Sequence, residues 1–181
     1  IRDSVISGPD KYDSTVSKKQ SNNQFIKSIK KKLKIGIPYE YLNFEGLDSE
    51  IKDKTLTIIE KLKSNDHQIE ILKFPYLSYI VPTYYVLTTA EASSNLSRYD
   101  GAHFGFRSKH SNDIESTYEN SRSEGFGIEV KRRIMLGNFV LSSGYYDAYF
   151  TKAQKVRRLI SQKTEQMLEN SDVLLFPTTP S

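Results

Sequence analysis

Residues 33–74 read LKIGIPYEYLNFEGLDSEIKDKTLTIIEKLKSNDHQIEILKF, and this stretch decides the fold. Leu33–Ile37 alternates apolar and polar side chains and stops at a proline, which predicts a strand. After Asp48 or Ser49, either of which is a good helix cap, apolar residues recur with a helical period. His67–Phe74 alternates again and predicts a second strand. Strand, helix and strand within about forty residues form a βαβ unit, which predicts a parallel sheet.

The segment that follows, residues 76–181, is predicted to be mainly helical. Ser78–Ser97 is expected to form a helix with Pro82 in its first turns, where a residue without a backbone N–H costs little. Arg107–Asn120 is polar and predicts a surface loop that ends in a short helix.

The last part of the chain predicts two helices and a strand. Ile128–Ser143 is the first helix, and Gly144 ends it because glycine is the usual residue just past a helix C-terminus. Tyr145–Glu169 is predicted as one long amphipathic helix. Its predicted buried stripe consists of Tyr149, Ala153, Val156 and Ile160. Val173–Phe176 is an all-apolar run typical of a fully buried strand, and the chain as a whole predicts the α/β class.

Composition excludes several kinds of site. The chain has 181 residues, a net charge of +4 and no cysteine, so it forms neither a disulfide nor a thiolate metal site. Its three histidines lack the spacing of metal ligands, and no apolar run approaches the length of about eighteen residues that marks a membrane span. Residues 1–32 are polar and turn-rich, which predicts a loop or linker. The lack of an initiator methionine and the end just after a predicted strand lead us to expect a fragment, with any targeting peptide outside it.

Arg133 is the first candidate for a binding residue. On a helical wheel it shares a face with Glu129 and with apolar residues, whereas Asn138 falls on the opposite, polar side. A guanidinium on an apolar face keeps its proton and therefore needs an anion. The pattern leaves two anions open. One is Glu129, as an ordinary ion pair within the helix, and the other is a ligand carboxylate that Arg133 holds through two parallel hydrogen bonds.

A row of polar side chains on the helix predicted at Ser78–Ser97 is the second candidate. The row consists of Tyr84, Thr88, Glu91, Asn95 and Arg98. The rest of this helix is small or apolar, so the row is a set of core hydrogen bonds, a strip left to solvent, or the wall of a polar pocket. The residues alone leave these three interpretations open.

Four blocks of the sequence carry a family resemblance. They are EASSNLSRYDG (91–101), RSEGFGIEVKRRI (122–134), LSSGYYDAYFTKAQKVR (141–157) and FPTTP (176–180). In this order and spacing they resemble the A subunits of aspartyl/glutamyl-tRNA amidotransferases, which belong to the amidase signature family. The resemblance implies an α/β/α fold around a large mixed sheet, and residues 1–181 would form only part of that domain.

The resemblance also implies a chemistry. Glutamine would be hydrolysed by a serine with the help of a second serine in a cis peptide and a lysine, all three upstream of Ile1. No catalytic residue is therefore expected in this chain, which alone would be inactive. The ammonia would pass to a partner B subunit that uses ATP and magnesium to amidate Glu-tRNA(Gln) or Asp-tRNA(Asn), and a small C subunit would complete the complex.

Further expectations concern ligands, partners and location. The resemblance implies that this chain binds no cofactor or metal itself and that the misacylated tRNA is held mainly by the B subunit. It implies a cytoplasmic location, with a mitochondrion or plastid as the alternative, and no membrane attachment. A stand-alone amidase of the same family remains an alternative. So does a basic RNA-binding module, for which the lysine-rich run at 27–34 and the cationic face of the last helix are the support.

The resemblance assigns roles to some of the candidate residues. Arg133 would bind the carboxylate of glutamine, and Tyr84 would line the same pocket, with the other members of the polar row as further wall. Two positions depart from the family pattern. His103 stands where arginine is more frequent, and Asn138 stands where threonine is commoner.

Overall fold

The computed structural model describes residues 32–181 together with Tyr12. The chain divides into two units, Ile1–Leu33 and Lys34–Ser181, and all of the elements named below lie in the second. Apart from Tyr12 and Lys32, the linker predicted at 1–32 falls outside the described residues, as does most of the lysine-rich run. In chain order the elements are β1 (Lys34–Pro38), α1 (Tyr39–Leu42), α2 (Ser49–Ser64), β2 (Gln68–Leu72), α3 (Leu77–Leu96), α4 (Ile114–Gly125), α5 (Ile128–Leu141), a π-helix (Tyr146–Thr151), α6 (Lys152–Glu169) and β3 (Val173–Leu174).

The predicted βαβ unit is confirmed. Strands β1 and β2 pair in parallel, with Ile35 opposite Ile69 and Ile37 opposite Ile71. Helix α2 connects them and begins where the sequence indicates, because the Asp48 carboxylate accepts hydrogen bonds from the first free N–H groups of the helix. The short helix α1 was not predicted from the sequence, in which Pro38 was expected only to end the strand.

The third strand extends the sheet on the other side of β1. Strand β3 pairs in parallel with β1, which gives the order β2-β1-β3. The prediction of a fully buried strand at Val173–Phe176 is wrong for this chain. Regular pairing covers only Val173–Leu174, Val173 and Phe176 are exposed, and Leu174 is half-buried, because β3 lies at the edge of the described sheet. The α/β class is confirmed, and the three strands seen here are all parallel.

The core lies between the sheet and α2. Ile37 of β1 is 1% exposed, and it packs with Leu42 and Ile59. Ile69 and Leu175 cover this cluster from the neighbouring strand positions. The apolar alternation of the strands and the apolar stripe of α2 therefore meet on one side of the sheet.

Helices α3 and α5 are in close contact at Gly137. A Cβ added there would lie 2.8 Å from the carbonyl carbon of Thr89 and would overlap the carbonyl oxygen of Thr89 and the Cβ of Ser93. Beside this contact the Ser93 hydroxyl donates a hydrogen bond of 2.5 Å to the side-chain oxygen of Asn138. Asn138 is exposed, as predicted for an outer face, but its side-chain oxygen also reaches Ser93 and helps to join the two helices.

The long helix predicted from Tyr145 is interrupted. Residues 146–151 form the π-helix, and only Lys152–Glu169 is α-helical. The ring of Tyr145 lies 4.3 Å, and that of Tyr149 5.7 Å, from the ring of Phe139. Tyr149 is exposed, so its place in the predicted buried stripe is wrong, while Ala153 is buried as predicted.

Helix α4 includes the short helix predicted at the end of the polar segment Arg107–Asn120, but it runs on from Ile114 to Gly125. It begins at a capping box in which the Asp113 carboxylate accepts a hydrogen bond from the Ser116 N–H, while the Ser116 hydroxyl accepts one from the Asp113 N–H. Because α4 is mainly polar and its buried residues are Thr117 and Ser121, it lacks the apolar period by which helices are recognised.

Candidate functional site

Arg133 lies on α5 but does not point into a core. Its side chain is 50% exposed, and the buried residues of the helix are Ile134, Gly137 and Val140. The prediction that this guanidinium occupies an inward apolar face is therefore wrong for this chain. The wheel groups Arg133 with Gly137 and Val140, which are buried, but the long side chain of Arg133 reaches back to Glu129 and stays half in solvent.

The ion pair within the helix is present. Nε of Arg133 donates a hydrogen bond of 3.2 Å to Oε1 of Glu129, and Nη1 of Arg132 lies 3.7 Å from the other carboxylate oxygen. One carboxylate thus faces two guanidinium groups, which leaves a surplus positive charge on this part of α5.

The terminal nitrogens of Arg133 are available to a ligand. Within residues 32–181, the hydrogen-bond and ion-pair partner of its guanidinium is Glu129, which uses only Nε. A carboxylate is gripped best by two parallel N–H groups, and Nη1 and Nη2 supply such a pair. The two interpretations of Arg133 are therefore compatible, because Glu129 orients the guanidinium while its outer edge can still hold an anion. Binding of glutamine by Arg133 stays a prediction.

Lys131 fixes the start of α5 to the end of α4. Its ammonium donates a hydrogen bond of 2.6 Å to the backbone carbonyl of Ser123, near the C-terminus of α4, where helix carbonyls lack internal partners. Of the three consecutive cations on α5, Lys131 therefore stabilises the fold, whereas Arg132 and Arg133 share one acid.

The polar row on α3 is a strip open to solvent in this chain. All five of its members are exposed, whereas the buried residues of α3 are Thr83, Thr89, Ala90 and Ser93. At 100° per residue the row lies on the side of α3 opposite the residues that face α5. The row is Tyr84, Thr88, Glu91, Asn95 and Arg98.

Hydrogen bonds within the row follow the helix. The Thr88 hydroxyl donates to the Tyr84 carbonyl at 2.7 Å, and the Asn95 amide donates to the Glu91 carboxylate at 2.9 Å. The Tyr84 ring lies edge-on to Tyr85, and its side chain is exposed. In the described part of the chain, no hydrogen bond joins the row to Arg133. Its role as a pocket wall is still a prediction.

The turn after α3 is held by Asp100. Its carboxylate accepts hydrogen bonds from the backbone N–H groups of Ala102 and His103 at 2.9 and 2.8 Å, and Nδ1 of the His103 ring lies 2.7 Å from it. The hydrogen bonds from the ring and backbone of His103, then that from Ala102, hold the pKa of Asp100 well below its usual range. Gly101 has φ +78°, and a Cβ there would overlap Ser121 of α4, so the turn packs closely on that helix.

Arg122 has a structural role that sequence reasoning missed. Nη1 of Arg122 donates to the carbonyls of Leu96 and Tyr99 at 2.9 and 3.1 Å, and the guanidinium lies 5.0 Å from the centre of the Phe126 ring. It therefore caps the C-terminus of α3 from α4. Arg122 belongs to the RSEGFG block, but its hydrogen-bond partner Leu96 lies 26 positions earlier in the chain. No local sequence pattern could therefore have identified this contact.

Three cavities formed by described residues lie away from Arg133 and Tyr84. One of about 700 Å³ lies between α2 and the segment after β3, one of about 490 Å³ lies beside Phe74 and α1, and another of about 490 Å³ lies between the end of β2 and α6. Neither Arg133 nor Tyr84 lines any of these three. These three cavities therefore do not enclose the anion-binding edge of Arg133.

Metal and membrane sites were also sought among the described residues. No group of three histidine or acidic side chains there is placed to hold a metal ion. No helix in the same part of the chain has both the length and the apolar character needed to cross a bilayer. Four cationic side chains of α6 are exposed, as the sequence predicts: Lys152, Lys155, Arg157 and Arg158. Lys163 is half-buried and lines the cavity between β2 and α6.

Comparison with known proteins places this geometry in a family. The model of the Amidase family matches residues 2–181. The chain is 52% identical over 179 residues to the A subunit of the glutamyl-tRNA(Gln) amidotransferase of Fusobacterium nucleatum, and the match covers 98% of this chain and 37% of that protein. It is 47% identical to the protein of the same name from Halothermothrix orenii over 98% of this chain and 37% of that protein. The chain thus spans little more than a third of the length of these relatives.

A solved structure agrees with the sequence comparison. The crystal structure of the A subunit of glutamyl-tRNA(Gln) amidotransferase from Thermotoga maritima superposes with a TM-score of 0.57 at 32% identity, covering 96% of this chain and 33% of that one. The structural match therefore extends over nearly the whole of this chain. With the family model matching 2–181, these findings show that the chain belongs to the amidase family.

Proposed function

We propose that this chain is part of the glutamine-hydrolysing subunit of a tRNA-dependent amidotransferase. The observation that carries the proposal is identity of about half of all positions, over 98% of the chain, to relatives named as A subunits of glutamyl-tRNA(Gln) amidotransferase. The whole protein would release ammonia from glutamine, and the ammonia would convert Glu-tRNA(Gln), or Asp-tRNA(Asn), to the amide.

In this proposal the chain contributes binding rather than bond cleavage. The serine nucleophile, the second serine and the lysine would belong to the part of the fold that the relatives carry outside the matched residues, so the chain alone would hydrolyse no glutamine. Arg133 would bind the substrate carboxylate through Nη1 and Nη2 while Glu129 holds Nε, as the ion pair at 3.2 Å supports. Tyr84, whose side chain is exposed, would donate to the substrate or exclude water from it.

The proposed assembly includes further subunits. A B subunit would hold the tRNA together with ATP and magnesium, and a small C subunit would complete a heterotrimer in the cytoplasm or in an organelle. A stand-alone amidase would need neither. Copurification of the full-length protein with a B subunit separates these two possibilities.

The proposal predicts a specific defect for Arg133→Ala in the full-length protein when it is bound to its partners. Glutamine-dependent amidation should fall by about thirtyfold or more, because truncating one partner of a hydrogen-bonded charge pair in a closed site costs about 2–5 kcal/mol. Amidation with free ammonia should be retained, since ammonia bypasses the glutamine site. The measurement is the rate of Gln-tRNA formation with each nitrogen donor.

Two further variants sharpen this experiment. Arg132→Ala removes the neighbouring guanidinium that shares Glu129 and should leave glutamine use within a few-fold of the wild type. Arg133→Lys keeps the charge but loses the planar pair of donors, and should rescue glutamine use only in part. Equal loss with glutamine and with ammonia in Arg133→Ala would contradict the proposed role.

A further inference from the structure

Helix α5 is apolar on two opposite faces. One face carries the buried residues that pack on α3 around Gly137. About 160–180° away on the wheel, Ile128, Met135 and Phe139 point outward, with 67%, 72% and 44% of their surface exposed. A helix that is apolar all round is normally buried on all sides.

Neighbouring aromatic residues enlarge this exposed surface. The rings of Tyr145 and Tyr149 pack against Phe139, and both are themselves exposed. Leu136 adds its exposed side chain at the edge. We call this surface the outer apolar face; it consists of Ile128, Met135, Leu136, Phe139, Tyr145 and Tyr149.

We propose that the outer apolar face is a packing surface, covered by the polypeptide that amidase-family relatives carry outside the matched segment. A contiguous patch of large apolar side chains is costly to leave in water and marks an interface. The matched segment is 37% of the Fusobacterium relative, so most of the family fold lies outside it and is available as the cover. The proposal depends on family membership alone and not on the glutamine chemistry.

Charge argues against a second copy of this chain as the cover. Arg132 projects from the middle of the outer apolar face, with 68% of its side chain exposed, and shares its acid with Arg133. In a two-fold symmetric pair each patch meets itself, so two such cationic centres would be brought together in an apolar interface. A different polypeptide can place an acid or a carbonyl opposite Arg132.

Covering this face would also change the surroundings of Arg133. Arg133 itself lies on the α3 side of the wheel, but its Nε is bonded to Glu129, and the other oxygen of that carboxylate faces Arg132 on the outer apolar face. Ion pairs and charged hydrogen bonds strengthen when water is excluded. A cover on that face would therefore strengthen the pairing that orients Arg133.

The first test is hydrogen exchange on α5. We compare the 181-residue chain with a chimera in which it replaces its matched counterpart in the Fusobacterium protein. The proposal expects the amides of α5 to exchange at least about tenfold more slowly in the chimera, because covering an element raises the free energy of its local opening. Equal exchange in the two proteins would overturn the proposal.

The second test uses a charge placed on the face. Met135→Glu should lower the melting temperature of the chimera and leave that of the 181-residue chain nearly unchanged. Ile114→Glu is the matched control, because Ile114 is 67% exposed and lies singly among polar residues at the start of α4. Equal effects of the two substitutions in the chimera would overturn the proposal.

Two further experiments cover a chimera that does not fold and the possibility of a dimer. If the chimera does not fold, glutamate at the counterparts of Met135 and Ile114 in the unmodified Fusobacterium protein gives the same comparison. The oligomeric state of the 181-residue chain, measured by sedimentation, tests whether a second copy of the chain covers the face instead. A dimer that is lost with Met135→Glu would make a second copy the cover and refute our assignment.

Discussion

Gly137→Ala probes the contact that joins α3 to α5. The added methyl group would meet the backbone carbonyl of Thr89, with the carbonyl carbon 2.8 Å from the new Cβ and the oxygen and Ser93 Cβ nearer still. Backbone atoms cannot change rotamer to make room, so the two helices must separate. Their separation also stretches the hydrogen bond between Ser93 and Asn138.

The magnitude follows from three contributions. Overpacking costs about 1–3 kcal/mol, and the upper half of that range applies because the obstacle is backbone. Loss of the Ser93 hydrogen bond costs about 1 kcal/mol, while replacing glycine by alanine within a helix gains about 1 kcal/mol. We expect a net loss of about 2 kcal/mol in the free energy of unfolding, which in a domain of this size lowers the melting temperature by about 4–8 °C.

The assay is urea and thermal unfolding of the 181-residue chain, followed by circular dichroism. Gly144→Ala is the control, because an added Cβ at Gly144 meets no atom within 4 Å, and its stability should change by less than about 0.5 kcal/mol. A Gly137→Ala variant as stable as the wild type, or more stable, would refute the inferred backbone contact.

Three further predictions concern the turns and helix ends. His103→Ala should raise the pKa of Asp100 toward its ordinary value of about 3.9, as followed by carboxyl NMR titration. A carboxylate whose pKa is lowered by folding stabilises the fold above about pH 4, and this stabilisation is lost as the pH falls through the folded-state pKa. The variant should therefore be less stable than the wild type at neutral pH, and the two should become equally stable in acid. An unchanged pKa of Asp100 in the variant would contradict the hydrogen bond from His103. Arg122→Ala should lower the free energy of unfolding by about 1.5–3 kcal/mol, the range for hydrogen bonds to charged groups, and should speed amide exchange at the end of α3; exchange confined to α4 would argue against the cap. Asp113→Ala should cost about 1 kcal/mol through loss of the α4 N-cap, whereas Asp113→Asn should retain most of that stability in the same urea titration.

The sheet region was predictable because its information is local. Each signal spans only a few residues: the apolar alternation in β1 and β2, the Asp48 cap, and the apolar period of α2. The structure confirms the βαβ unit that these signals predict. The edge strand β3 was less predictable. Apolar composition alone does not distinguish a central strand from an edge strand whose cover lies in other parts of the fold.

The helical region was predicted less well because its contacts are not local. The wheel grouped Gly137 and Val140 correctly on the side of α5 that packs on α3. It did not show that Arg133 on the same side is exposed, or that the Asn138 side chain bonds to α3. The π-helix after Gly144 depends on aromatic packing between Phe139 and two tyrosines, which no helical period encodes. The roles of residues in the site were predicted mainly from the family resemblance. For Arg133, the sequence pattern alone did not decide between an ion pair with Glu129 and a ligand carboxylate.

The glycine contact between α3 and α5 also governs how these helices move. Where two backbones touch without an intervening side chain, there is no rotamer change to absorb sliding, so the pair should shift as a rigid body. A pull on Arg133 at one helix would then displace Tyr84 on the other by a similar amount. Through the Arg122 tie to Leu96 and Tyr99, the same displacement would reach the Asp100 turn, which makes that turn a place to attach a probe that reports on events at α5.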